Sequence, residues 1–191
     1  NMKNILHMAL GLLFSVTVLQ AHSDAFKPTF VDTLVDPYLS MQKGLAADDL
    51  QAAQVGAAAF LKAMKHAPHE SGAHEEAMDL SKPANTISGA EDIKVARTAF
   101  LDLSQQMTSL IQHVGTTADT PLYTAFCPMA FDNKGGQWIQ SDKTVSNPYY
   151  GLMMLRCGSV KKKIAGSEEH SDDSKHRKMP IKKDDHSGHS H

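Results

Sequence analysis

The sequence is poor in the residues that usually advertise a function. Cysteine occurs twice in 191 residues, tryptophan once, and aromatic residues make up 6%. There is no G-x-S-x-G, no H-E-x-x-H, no glycine-rich phosphate loop and no pair of carboxylates at a catalytic spacing, so the chain reads as a non-enzymatic protein. Neither sign of charge dominates: the formal net charge is −2, which offers nucleic acid no basic surface. The cysteines, Cys127 and Cys157, lack the C-x-x-C spacing that lowers a thiol pKa, which argues against a thiol oxidoreductase. No internal repeat is present. What the chain does have in quantity is alanine and leucine, which favour helices, together with 11 histidines and 10 methionines, both metal-binding types.

The one long apolar run is at the start. Ile5 to Leu19 follows Lys3 and precedes small residues at Ala21 and Ser23, the pattern of a cleavable secretory signal over residues 1–23. The run is shorter than the ~20 apolar residues of a spanning helix, so no stable membrane span is expected once the signal is removed. No cysteine follows it to accept a lipid. Export implies a compartment where disulfides persist, here taken as a bacterial periplasm.

Helical periodicity fills the next stretch. Phe30, Val31, Leu34, Tyr38, Met41 and Leu45 share one period, with Asp36-Pro37 readable either as a helix start or as a kink within a longer helix. A second helix carries Leu50, Ala53, Ala57, Phe60 or Leu61, and Met64 on one face, capped by Asp48, with Asp49 favouring the dipole end. A short third helix is predicted over Ala73–Ile87, with Ala77, Leu80, Ala84 and Ile87 in loose helical register and Pro83 interrupting it. The fourth has the clearest stripe, from Ile93 through Ala96, Phe100, Leu103, Met107, Leu110, Ile111 and Val114, with Ser88 and Glu91 as a capping box and Gly115 as its stop. The predicted fold is mainly all-α: an up-down four-helix bundle, followed by a small irregular module with short strands, the two forming one domain over residues 30–160. Residues 161–191 are charged and rich in serine and histidine, and are predicted to be a disordered tail.

The module holds the chemistry. In extended chain, residues two apart face the same side, so Cys127 and Met129 in FCPMAF can address one point. Met154 and Cys157, three apart in GLMMLRCG, meet on one helical turn, with Met153 pointing elsewhere. Two thiolates and two thioethers form a soft donor set that selects Cu(I), and Ag(I) by the same softness. Two cysteines in an exported domain equally suit a disulfide, contributing roughly 3–4 kcal/mol by loop closure, with the methionines as core filler. Both readings stand on the residues alone.

The run from Tyr123 to Gly158, YTAFCPMAFDNKGGQWIQSDKTVSNPYYGLMMLRCG, resembles the signature of DUF3347, a bacterial exported family of unknown function. The resemblance extends to YLSMQKGLAADDLQAAQVGAAAFLKAM and ARTAFLDLSQQM in the helices, giving an expected coverage of about 30–160. Its motif falls on Cys127, Pro128, Met129, Asn147, Pro148, Tyr149, Gly151, Met154, Cys157 and Gly158. The family also occurs fused to periplasmic adaptor subunits of copper/silver efflux pumps of the RND type. The resemblance therefore implies metal buffering, resistance or hand-over to an efflux adaptor. The alternative is a disulfide-stapled interaction module that docks on such an adaptor without metal. Asn147, Tyr149 and Trp138 are expected to be scaffold rather than ligands.

The histidines are secondary candidates. His113, at the end of the fourth helix, is a candidate further ligand, and His66, His69 and His74 cluster at the second helix–helix link. In the tail, His170, His176, His186, His189 and His191 form a tract suited to Zn(II), Cu(II) or Ni(II).

Overall fold

A computed structural model of the chain describes residues 26–69 and 71–166. The expected signal (1–23) and the tail histidines lie outside the described residues.

Four long helices come first: α1 (Pro28–Ala46), α2 (Leu50–Met64), α3 (Ser71–Ser88) and α4 (Ile93–Val114). The helix faces foreseen from periodicity are the ones buried. Val31, Leu34, Tyr38, Met41 and Leu45 of α1, Ala53, Ala57 and Phe60 of α2, Leu80, Ala84 and Ile87 of α3, and Ala96, Phe100, Leu103, Met107 and Leu110 of α4 form the core. Each large side chain among them contributes about 1.5–3 kcal/mol by leaving water. α1 packs on α2, α2 on α3, α3 on α4, and α4 back on α1. The α1–α2 contact is close because glycines sit in it. A Cβ on Gly44 would fall 2.6 Å from the Ala53 nitrogen, and one on Gly56 would fall 2.8 Å from that of Met41.

The helix ends differ in detail from expectation. α1 starts at Pro28, which occupies the first turn where no N–H is needed, and runs through Pro37. α3 likewise continues through Pro83. Asp49, not Asp48, caps α2, its Oδ1 accepting from the Ala52 amide at 2.9 Å. α4 has no capping box, since Ser88 ends α3; Asp92 caps it through the Lys94 amide at 2.6 Å. Gly115 closes it as foreseen, at φ +86°.

A three-stranded antiparallel sheet follows: β1 (Leu122–Cys127), β2 (Gly136–Gln140) and β3 (Ser159–Ala165), in the order β2-β1-β3. β3 corrects the boundary expected at 160, because strand pairing continues to Ala165, which faces Leu122. Its three lysines, Lys161 to Lys163, give the strand the composition of a solvated tail. On an edge strand such charges are compatible with pairing and discourage further strand addition.

The sheet is joined to the helices by rings and by long-range hydrogen bonds. Tyr38 stacks on Phe100 at 5.0 Å, Phe100 meets Tyr149 at 6.3 Å, and Tyr149 meets Trp138 edge-on at 5.7 Å. The buried Tyr38 hydroxyl shares a 2.7 Å hydrogen bond with Ser104 and accepts the Ile139 amide of β2 at 3.0 Å. Burial pushes its pKa above the ordinary tyrosine range. Asp32 of α1 accepts from the Thr117 amide and hydroxyl and from the Ala118 amide, fixing the segment that leads into β1. No helix among the described residues is long and apolar enough to cross a membrane.

Candidate functional site

β1 delivers Cys127 as its last residue, paired in register with Gly136 of β2. The turn between those strands is tight. Phe131, Asp132 and Asn133 all take left-handed φ values between 53° and 65°, a conformation that costs non-glycine residues of order 1 kcal/mol each. The turn is backed by the Phe131 ring, edge-on to Tyr149 at 5.0 Å. Cys157 arrives from the other side. After Asn147 and Pro148 the chain makes a single 3-10 turn, Gly151–Met154, and Cys157 follows it outside any regular element. Its amide donates to the Met154 carbonyl at 2.9 Å. Next to it, Gly158 has φ +116°, and a Cβ there would meet the Phe126 carbonyl oxygen at 2.6 Å, so only glycine lets the chain pass this close to β1.

The two sulfurs, thirty residues apart in sequence, stand 2.8 Å from one another. No disulfide bond joins them in this structure. Cys127 is completely buried, and Cys157 is half-buried and opens towards the surface. The hydrogen bond with Cys127 pushes the Cys157 thiol pKa up, and burial adds to the effect. Cys157 therefore holds its proton at neutral pH, and a soft cation binding there must displace it.

The methionines are arranged unequally. Met129 is 46% exposed, and its carbonyl accepts the Tyr150 hydroxyl at 2.6 Å, which ties the Cys-Pro-Met segment to the residue just before the 3-10 turn. Met154 is half-buried at the end of that turn, and Met153 is 77% exposed. Among the described residues no three His, Cys, Asp or Glu side chains converge on a point that could hold a metal ion. His113 is exposed on the last turn of α4 and does not join the two cysteines in such a group; a ligand reached along the sequence is not brought there by the fold. His66, His69 and His74 are exposed around the α2–α3 link and also do not converge.

Several residues that support the site have no motif to announce them. Asp48 has φ +59°, which turns its carboxylate towards the 3-10 turn, where it accepts the Leu152 amide at 3.0 Å and Arg97 at 2.5 Å. The Arg97 hydrogen bond holds the Asp48 carboxyl below the usual carboxylate range. Arg97 also donates to the carbonyls of Pro148 and Leu45, each at 2.9 Å, and Gln42 reaches the Ser146 carbonyl at 2.6 Å. Within the module, buried Gln140 accepts from the Trp138 indole at 2.9 Å and the Ser146 amide at 3.1 Å, and donates to the carbonyls of Asp142 and Thr144. These polar pins join residues up to 104 positions apart, a separation at which sequence spacing carries no signal.

Fold and site together describe a mainly helical domain that carries a small sheet closed by a thiol pair. The sequence profile of DUF3347, described as a protein of unknown function, matches residues 34–119. The match covers the helices and stops short of β1, so the Cys-Pro-Met motif lies outside it. No curated protein and no solved structure matches the chain.

Proposed function

We propose that this is an exported, periplasmic, non-enzymatic protein that binds a soft monovalent cation, Cu(I) or Ag(I), for buffering, resistance or delivery to a heavy-metal efflux adaptor. The scaffold in this reading is an up-down four-helix bundle bearing a Cys/Met module, and the consecutive packing of the helices supports it. Cys127 and Cys157 are the anionic ligands, and Met129 and Met154 complete the soft set. The observation that carries the proposal is the contact of two unbridged sulfurs at 2.8 Å, in a module that spends fixed glycines, a strained turn and a buried polar network on bringing them together. Thiolates bound to one ion at about 2.3 Å each, the zinc–sulfur value, stand about an ångström farther apart than this pair. Loading therefore spreads the sulfurs, and Cys157, which has no strand partner, is the one expected to shift.

The test is a titration of the reduced full-length chain with Cu(I) against a competing chelator. Binding that Cys127→Ser abolishes and Met129→Leu weakens supports the reading. Competition that is absent, or unchanged in Cys127→Ser, removes it.

One observation favours a second reading. From 2.8 Å the sulfurs need less than an ångström to reach the ~2.05 Å of a disulfide, which would staple the module as a docking unit without metal. Intact mass under non-reducing conditions separates the two: protein recovered from its compartment two hydrogens light, and stable so, is the stapled form.

A further inference from the structure

The two cysteines are held by unlike means. Cys127 is fixed by the sheet, with Gly136 opposite it on β2 and its neighbour Phe126 paired to Ser159 on β3. Cys157 has no ladder. Beyond its amide bond to Met154, its carbonyl is held by a side chain: Asn147 Nδ2 donates to it at 2.9 Å. Asn147 is completely buried. Its Oδ1 accepts from the amides of Tyr149 at 2.8 Å and Tyr150 at 3.3 Å. Its own amide donates to the Leu155 carbonyl at 2.8 Å, and its carbonyl accepts the Gly151 amide at 3.2 Å. One residue thus grips the start, the middle and the end of the segment 147–157. The grip needs a side chain that donates at one end and accepts at the other within four heavy atoms. Among similar shapes, leucine does neither and ionised aspartate only accepts.

We infer that Asn147 is the positioning residue of the thiol pair. It holds Cys157 against Cys127, and so sets how readily the two sulfurs act together, without touching a bound ion. For metal binding this role rests on the soft-site reading above; for the approach of the two sulfurs it does not.

The experiment equilibrates the reduced full-length protein with glutathione disulfide. The two protein thiols lose two electrons and two protons as the Cys127–Cys157 bond forms. The glutathione S–S bond breaks, and two glutathione thiols take up the electrons and protons. The equilibrium constant measures the effective concentration of one thiol at the other and needs no metal. Asn147→Leu is expected to lower it about tenfold, the effect of one lost buried hydrogen bond. Asn147→Asp adds a readout that general loosening would not give. At about pH 5 the buried acid is protonated and can donate to the Cys157 carbonyl, giving a constant near the wild type. By about pH 8 it ionises and repels that carbonyl, and the constant falls relative to the wild type at the same pH. Far-UV circular dichroism and Trp138 emission check that each variant is folded; if Asn147→Leu is not, the aspartate profile decides alone. Constants within twofold of wild type for both variants, or an aspartate profile parallel to the wild type, overturn the assignment. A wild type that takes no Cu(I) but shifts with Asn147 removes the metal reading and leaves the positioning role. One that takes Cu(I) while its constant ignores Asn147 does the reverse.

Discussion

The helices and the sheet module occupy one chain but are held together differently. The helices rely on apolar stripes: Phe100, Leu103, Met107 and Leu110 repeat along α4 and meet like residues on its neighbours. The module has a smaller apolar centre, chiefly Trp138, Tyr149, Leu122 and Ile139, and closes around buried polar hubs, Gln140 and Asn147. Among the described residues no buried side-chain nitrogen or oxygen is left without a partner. The contrast teaches that the first region tolerates changes of detail that keep volume, while the second depends on individual donors and acceptors, each expensive to remove.

That contrast can be broken at the joint. Phe100→Ala removes the ring that stacks on Tyr38 and meets Tyr149, and is expected to cost about 3–5 kcal/mol. Helical circular dichroism and Trp138 fluorescence should lose their transitions together. A fluorescence midpoint that stays put would mean the module stands alone. The next largest effect is inside the module. Gln140→Leu leaves the Trp138 indole and the Ser146 amide without their acceptor, and should cost about 3 kcal/mol in denaturant titrations; a loss below about 1 kcal/mol would say that the polar hub is dispensable. Gly151→Ala tests the contact between the regions from the other side. With φ +59° and a Cβ that would lie 1.9 Å from Asp48 Oδ1, it should cost about 1–2 kcal/mol from backbone strain, and should also expose Cys157 to alkylation faster than in the wild type.

The smallest effects are in pH. Asp48 has a lowered pKa, so its contribution is present above the ordinary value of 3.8 and is lost as pH falls through its folded value. Because the carboxylate is 41% exposed, solvent keeps the effect modest, and Asp48→Asn should flatten the acid limb of the stability curve. Cys157 runs the other way. Its raised pKa contributes stability below the ordinary 9.0 that is lost as pH rises through the folded value; Cys157→Ser should remove that alkaline limb.

The same contrast decides what could be read in advance. The helix faces were legible because burial against a neighbour imposes a 3.6-residue period, and Ala53, Phe60, Leu80 and Leu103 sit where that period puts them. The two cysteines were legible as a pair because their chemistry is shared and rare. Cap identities were not: Asp48 and Asp49 are adjacent and alike, and only the left-handed backbone of Asp48 frees it for Arg97. The strand at Ser159–Ala165 was hidden because three lysines on an edge look like a solvated tail. The supports of the site, Gln42, Asp48 and Arg97, were hidden for a deeper reason. They act across tens of residues through single hydrogen bonds, and a lone polar residue on a helix is indistinguishable in sequence from one that faces water.

The strand order carries a consequence for how the molecule is made. β1 is the central strand, yet one of its partners, β3, is the last described element of the chain. The helices are contiguous in sequence and can assemble early, whereas β1 keeps one edge unpaired until Ser159–Ala165 docks. Cys127 and Cys157 share that timetable, since the second thiol and its clamp are also late arrivals. The two sulfurs therefore meet only once β3 has docked on β1, and their contact marks a module that has closed.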